Sequence, residues 1–350
     1  MALEFWTSGA GVPIANVRQA EAAEREGWDG LVYVDSQNLA GDPYIAMALA
    51  SKVTERLKLG TGVTNPWTRH PAATASAIAT VQAESNGRAY LGIGRGDSAL
   101  AHIGLSPAPV PVFEDYLRRL QGYLRGEDVP FGTEANVEQL HLAQAPTSSK
   151  IAWLRPSQPK VPVDVAATGP RVIKVAALLA DGISFAVGAD PERVRWGMDV
   201  ARHARREAGL DAEMTWGAYV PCVVHDDIET ARHLGEGGLS LFARFSVMHG
   251  TVVGPASDQQ RETLQTIHRS YDMMHHAQSG SAQAGVLTNE FAEDFGIMGA
   301  PEHCIERFRE LMGLGLTRFI IVGPSIGADR NEAERARTRF IEEVLPALRA

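Results

Sequence analysis

Residues 57–98 read LKLGTGVTNPWTRHPAATASAIATVQAESNGRAYLGIGRGDS. Leu57–Val63 is a short apolar run with small residues at its end, the pattern of a strand buried on both faces. Pro71–Ala83 follows, rich in alanine and opened by proline, which suits the first turn of a helix. Ala89–Gly94 is again short and apolar, and it breaks into alternating glycines before Arg95, Asp97 and Ser98. Strand, helix and strand in about 40 residues make one βαβ unit, and such units join parallel neighbours.

The same rhythm extends in both directions. Ala2–Trp6, Gly30–Val34, Pro162–Ala166, Gly182–Ala186, Thr215–Val224 and Arg318–Val322 read as further strands. Helical spacing recurs between them at Ile14–Glu26, Pro43–Val53, Val112–Leu124, Pro170–Leu179, Pro191–Ala208, Asp227–Leu234 and Asn331–Leu348. Eight strand–helix units with strands that do not alternate in polarity predict an α/β fold, a (β/α)8 TIM barrel. An open doubly wound sheet of about six strands fits the count less well. Two stretches interrupt the period, 125–160 after the fourth unit and 235–299 after the seventh. They are expected as insertions into one barrel domain spanning 1–350, walling the C-terminal face where barrel active sites lie.

Composition narrows the classes. The 350 residues carry a formal charge of −9, with 45% hydrophobic and 21% charged residues. No basic stripe with interleaved aromatics is present, so nucleic acid is not the expected partner. No apolar run of about 18 residues is present for a membrane span. The N-terminus MALEFWTSGAG lacks a basic start and a long apolar stretch, so it does not read as a signal peptide. Cys222 and Cys304 form no metal-spaced or redox pair, which suits the cytoplasm.

The strand exits hold the chemistry. Glu4 lies in the apolar run LEFW, and a carboxylate there needs a partner or a raised pKa. Strand two exits through Asp35-Ser36, strand four through Gly94-Arg95-Gly96-Asp97-Ser98, and strand five through Thr168-Gly169-Pro170. Such a rim suits a flat ligand pressed against backbone, with phosphate held by amides at helix starts. Asp35 and Asp97 have a plainer reading as helix caps, and Arg69-His70 one as a solvated loop. GIGRGD lacks the GxGxxG spacing and the acidic residue about 20 positions on, so it is no dinucleotide fingerprint. GPSIG at 323–327 matches a nucleophile elbow, but no histidine follows Ser325, leaving that serine as a phosphate or hydroxyl contact. His275-His276 point to different helix faces and read as surface residues, so no metal site is expected.

Taken together, residues 60–100, VPVDVAATGPRVIKVAALLADG, FGIMGAPEHCIERFRELMGLGLTRFIIVGPSIGAD and the opening LEFW resemble the luciferase-like superfamily. The likeness is to its methylenetetrahydromethanopterin reductase branch and covers most of the chain outside the insertions. The resemblance implies a (β/α)8 barrel, homodimeric, binding a flavin or the deazaflavin coenzyme F420. It implies a bulge with a non-prolyl cis peptide at Gly62-Val63, backing the central ring, with Asn65 beyond it among the cofactor contacts. It places the phosphate on Gly94, Arg95, Gly96 and Ser98 and on Thr168, Gly169 and Pro170. Asp35 and Ser36 fall beside the ring, and Glu4 and Asp97 near the hydride-receiving site. One departure stands out: many members have Asp-His where this chain has Asp35-Ser36, and serine cannot titrate near neutral pH. The 125–160 insertion also departs from the compact reductases, which puts a pterin substrate in doubt.

The leading expectation is an F420-dependent oxidoreductase that passes hydride to a small organic substrate, with Glu4 or Asp97 moving the accompanying proton and Asp35 assisting. The rivals are a reduced-FMN monooxygenase, in which Arg95 would pair with a terminal phosphate, and a flavin-binding homologue without turnover.

Overall fold

The structure is a computed structural model and describes residues 3–350. Eight parallel strands form the barrel: β1 (Glu4–Gly9), β2 (Gly30–Tyr33), β3 (Lys58–Thr64), β4 (Ala89–Ile93), β5 (Val163–Ala167), β6 (Gly182–Phe185), β7 (Thr215–Val224) and β8 (Arg318–Val322). Each pairs with its neighbours in chain order. β8 pairs with both β7 and β1, which closes the ring. The strand–helix period thus yields the expected (β/α)8 barrel.

Alternation along the strands decides what faces where. In β1, Phe5 points outward into an aromatic cluster with Phe308, Phe319 and Phe340. Trp6 points inward, its ring 4.7 Å from that of Tyr90. The outer layer is α1 (Asn16–Arg25), α2 (Pro43–Ser51), α3 (Pro71–Glu84), α4 (Val110–Leu124), α5 (Pro170–Leu179), α6 (Pro191–Glu207) and α7 (Ile228–Phe245). The chain continues through α8 (Asp258–Ser270), α9 (Asn289–Phe295), α10 (Pro301–Gly313) and α11 (Arg330–Arg339).

Several expectations need correction. The first strand is not Ala2–Trp6: Ala2 lies outside the described residues, and the strand runs on through the polar Thr7-Ser8-Gly9. The Ser8 hydroxyl satisfies itself on the Ile321 carbonyl, so polarity there does not end the strand. The seventh helix does not stop at Leu234 but continues to Phe245 through Gly235, Gly237 and Gly238. Those glycines cost helix propensity yet allow close packing: a Cβ on Gly235 would lie 2.5 Å from the Met298 Cε, and one on Gly237 2.4 Å from the Ala277 carbonyl. Finally, 297–299 is a strand that pairs parallel with the end of β7, and α10 follows it. The 125–160 stretch is mostly turns around a two-residue antiparallel pair, Val129–Pro130 with Ser148–Ser149. The last predicted helix is broken by a π-turn at Phe340–Val344, just before Pro346, which has no N–H to continue an α-ladder.

Candidate active site

The two ends of the barrel carry different chemistry. At the N-terminal end, Glu4 pairs in register with Arg318, and its carboxylate bonds Lys58, Arg318 and the Trp6 indole N–H. Arg318 also binds Asp164 at 3.1 Å and lies over the Trp6 and Tyr90 rings. Glu4, Lys58 and Arg318 are the first residues of their strands, so this network closes the barrel floor. Burial by itself would raise the Glu4 carboxyl, but Lys58, Arg318 and Trp6 together hold it below the ordinary carboxylate range. Glu4 is therefore removed from the predicted hydride-receiving site. The other residues predicted for that site lie at the C-terminal end, about 16 Å of strand away, and Glu4 is a floor residue held below the ordinary carboxylate range.

At the C-terminal end, Asp35 follows β2 and is fully enclosed. Its carboxylate accepts from the Thr64 hydroxyl at 2.6 Å, the Gln37 amide at 2.6 Å and Arg69 at 2.7 Å. Arg69 also reaches Asp42, the N-cap of α2, and lies over the Tyr44 ring. Arg69 is thus no solvated loop residue but the counterion of this network. Asp35 does not cap α2 either; its carboxylate has no exposed surface and is held by three donors. These bonds tie the β2 exit, with Ser36, to the end of β3. There the register slips between Thr61 and Thr64, and the Gly62-Val63 peptide is cis, as the resemblance implied. A Cβ on Gly62 would lie 2.6 Å from Val32 Cγ2, so only glycine fits. Beyond the bulge, Asn65 accepts from the amides of Trp67 and Thr68, and its buried side-chain NH2 has no partner.

The β4 exit lies beside this bulge. Gly94 donates to the Thr64 carbonyl, and a Cβ there would meet Val63 Cγ2 at 3.2 Å. A side chain at Gly94 would thus press on the bulge residue Val63. Gly96 has φ +85°, a conformation side chains rarely adopt. The helices after β2, β6 and β7 are capped by Asp42, Asp190 and Asp227, whereas α5 starts after Thr168-Gly169 with no side-chain cap. The Thr168 hydroxyl is spent on the Ala186 carbonyl, Pro170 occupies the first turn of α5, and a Cβ on Gly169 would meet open space. Arg95 is fastened through Nε to the Ala108 carbonyl, and it lies 3.5 Å from His249 Nε2. Burial, then the nearby Arg171 of α5, lower the Arg95 pKa. Burial, then Arg95, Arg171 and Arg244, lower that of His249. Uncapped amides with cations beside them are the features that favour an anion.

Asp97 completes the mouth. Its carboxylate bonds Arg244, in the last turn of α7, and is largely buried. Burial raises the Asp97 pKa, and Arg244 with His249 only partly offsets this. Arg244 lies over the Tyr271 ring, whose hydroxyl bonds His276 at 2.8 Å. His276 is accordingly not a surface residue: burial, with Arg244 and His102, brings it down to about 4. Among the described residues no group of three or more His, Cys, Asp or Glu could hold a metal. Ser325 donates to the Leu234 carbonyl and accepts from the Gly237 amide, so it fastens α7 and is not a ligand contact. Sequence reading missed Arg171 and Arg244, took Arg69 for a solvated loop residue and gave His249 no role. Their type alone carries no signal, and the fold brings them in from four separate segments.

Comparison with known proteins agrees with this architecture. The 5,10-methylenetetrahydromethanopterin reductase of Methanolobus tindarius is 27% identical over 95% of this chain and 96% of its own. The F420-dependent glucose-6-phosphate dehydrogenase of Amycolatopsis mediterranei is 28% identical over 87% of this chain and 83% of its own. The solved structure of the coenzyme F420-dependent tetrahydromethanopterin reductase from Methanopyrus kandleri superposes with a TM-score of 0.74 at 23% identity, covering 99% of this chain and all of that one. The model of the luciferase-like monooxygenase family matches residues 5–318, and the chain belongs to that family.

Proposed function

We propose that the protein is an F420-dependent oxidoreductase acting on a small organic substrate. One observation carries the reading: the largely buried carboxylate of Asp97 stands on the β4 exit with Arg95, beside the cis Gly62-Val63 bulge and near the uncapped start of α5, an arrangement that suits a ring with a phosphate. The residues fit the coenzyme. The start of α5, with Arg95 and Arg171, offers donors to a phosphate. The orphaned Asn65 NH2 offers a buried donor to a ring carbonyl. Relatives named as F420-dependent or as methylenetetrahydromethanopterin reductases align over nearly the whole chain. The reduced coenzyme supplies the hydride. The protein's part is to hold the ring against Gly62-Val63, to position that platform through Asp35 and Arg69, and to hold on Asp97 the proton that accompanies the hydride.

The reading extends to assembly and setting. α2 is apolar all round although it lies on the outside of the barrel, and Ile45 (64% exposed) and Leu49 (47%) form a ridge on its outer face. A helix of that kind needs a cover, and a second copy of the chain supplies it in a homodimer. Free, buried Cys222 and Cys304 and the charge of −9 accord with the cytoplasm and with a small-molecule ligand, not nucleic acid or lipid. Among the described residues no helix is long and apolar enough to cross a membrane.

The arginine pair at the anion site favours one second reading, a reduced-FMN monooxygenase, because Arg95 and Arg171 suit a terminal phosphate. Fluorescence titration of the apo-protein with F420 and with FMN separates the two. F420 should bind tightly. Binding of FMN alone would establish the monooxygenase reading, and binding of neither would favour a homologue without turnover.

A further inference from the structure

The Asp97–Arg244 pair differs from the other buried charged side chains of this chain. Asp35 has three donors, and Arg193 spends its guanidinium on Val187, Pro255, Ser246 and Val253. Among the described residues, the Asp97 carboxylate has a single hydrogen-bond partner, and Arg244 makes a single hydrogen bond. Arg244 therefore keeps most of its five N–H donors unused while its flat face rests on Tyr271, with the ring centroid 4.7 Å away. The groups facing the pair are cationic or neutral: Arg95 from the β4 exit, Arg171 from α5, His249 from the 246–255 segment, and His102 and His276 beyond Tyr271. Asp97 is the acid among them. A guanidinium with spare donors, held by one under-satisfied carboxylate in a cationic mouth, is set up to exchange partners.

We propose that Arg244 binds a carboxylate of the substrate in place of Asp97, and that the substrate is an unsaturated carboxylic acid. This rests on the F420 reading for its hydride source. When a substrate carboxylate takes Arg244, Asp97 loses its counterion while still buried and takes up one proton from solvent. Because Asp97 touches Arg244, the atom that receives this proton lies within a bond or two of the substrate carboxylate. That atom is the α-carbon of an α,β-unsaturated acid. The carbon–carbon π bond breaks, the hydride adds at the β-carbon, and the Asp97 proton adds at the α-carbon. Asp97 is left as carboxylate and returns to Arg244 when the saturated acid leaves.

Calorimetric titration with acetate and crotonate, against acetamide and crotonamide, tests this on the F420-loaded and the coenzyme-free protein. Two buffers of different ionisation enthalpy report the protons exchanged. The carboxylates should bind about tenfold or more tightly than their amides, with proton uptake. Asp97→Asn removes the competitor for Arg244, so it should tighten crotonate binding and abolish the uptake. Arg244→Met should erase the preference for carboxylates, and Arg244→Lys should restore part of it. A merely structural pair would leave D97N binding crotonate no better than the wild type. Equal binding of acids and amides, absence of carboxylate binding, or unchanged affinity in D97N would each overturn the proposal. If F420 itself does not bind, the functional reading fails separately, and the comparison on the coenzyme-free protein still decides the role of Arg244.

Discussion

At the scale of single residues, two carboxylates of the same chain shift in opposite directions because their partners differ. Glu4 is buried but has three donors, so its pKa falls. Asp97 is buried with one, so its pKa rises. Glu4→Gln is expected to leave turnover unchanged within about twofold while lowering stability by about 1–3 kcal/mol, because Arg318 loses a partner in a buried setting. Denaturant unfolding checks the second part and steady-state rates the first. The sign with pH follows: the Glu4 contribution is present above its unfolded pKa and lost as pH falls through the lower folded value, so Glu4→Gln should flatten the acid end of the stability profile below about pH 4.5. If Asp97 holds the proton as proposed, its working form is the protonated one, and the reductive rate should fall as pH rises through its raised pKa. Asp97→Asn should remove that limb and cut kcat by about 10²–10³, measured as a pH–rate profile. The position of Asp97 was legible in LGIGRGDS. Its partner was not, because Arg244 lies 147 positions away.

At the scale of elements, a buried side chain fastens the 246–255 segment after α7. Arg193 of α6 donates to the carbonyls of Val187, Val253 and Pro255 and to the Ser246 hydroxyl, and burial brings its pKa down to about 10. Arg193→Met would leave several buried acceptors unpaired. It should cost about 3 kcal/mol or more and expose this segment, with His249, to limited proteolysis. The element pattern also shows where sequence reading runs out. Pro71, Pro170 and Pro191 mark helix starts that local chemistry dictates. Glycines inside α7 read as a stop, and only the packing of Met298 and the Ala277 carbonyl explains why they continue the helix.

At the scale of the molecule, α2 combines an apolar composition with an outward face. Ile45→Glu with Leu49→Lys should convert a dimer to monomers without unfolding the barrel, because both side chains point away from its core. Sedimentation velocity measures the first outcome and the thermal midpoint the second. A monomeric wild type would remove α2 as an interface. The charge pattern is equally global. A chain of formal charge −9 gathers Arg95, Arg171 and Arg244 at one sector of its mouth, so anionic ligands should associate more slowly as salt rises. Stopped-flow F420 binding across ionic strengths would show that dependence.

The sequence by itself determined the barrel, because period, strand length and the proline and glycine punctuation are local properties that every unit repeats. It also determined the rim segments, since the residues after β2, β3, β4 and β5 follow directly from where those strands end. Only the tertiary structure decided what the charged residues do. Glu4 went to the floor because β1 begins there and does not end there. Asp35 became enclosed because Arg69 folds back on it, and Asp97 became a buried acid because α7 reaches across the mouth. Burial and counterion set a carboxylate's chemistry, and both depend on residues far apart in the chain that only the closed barrel brings together.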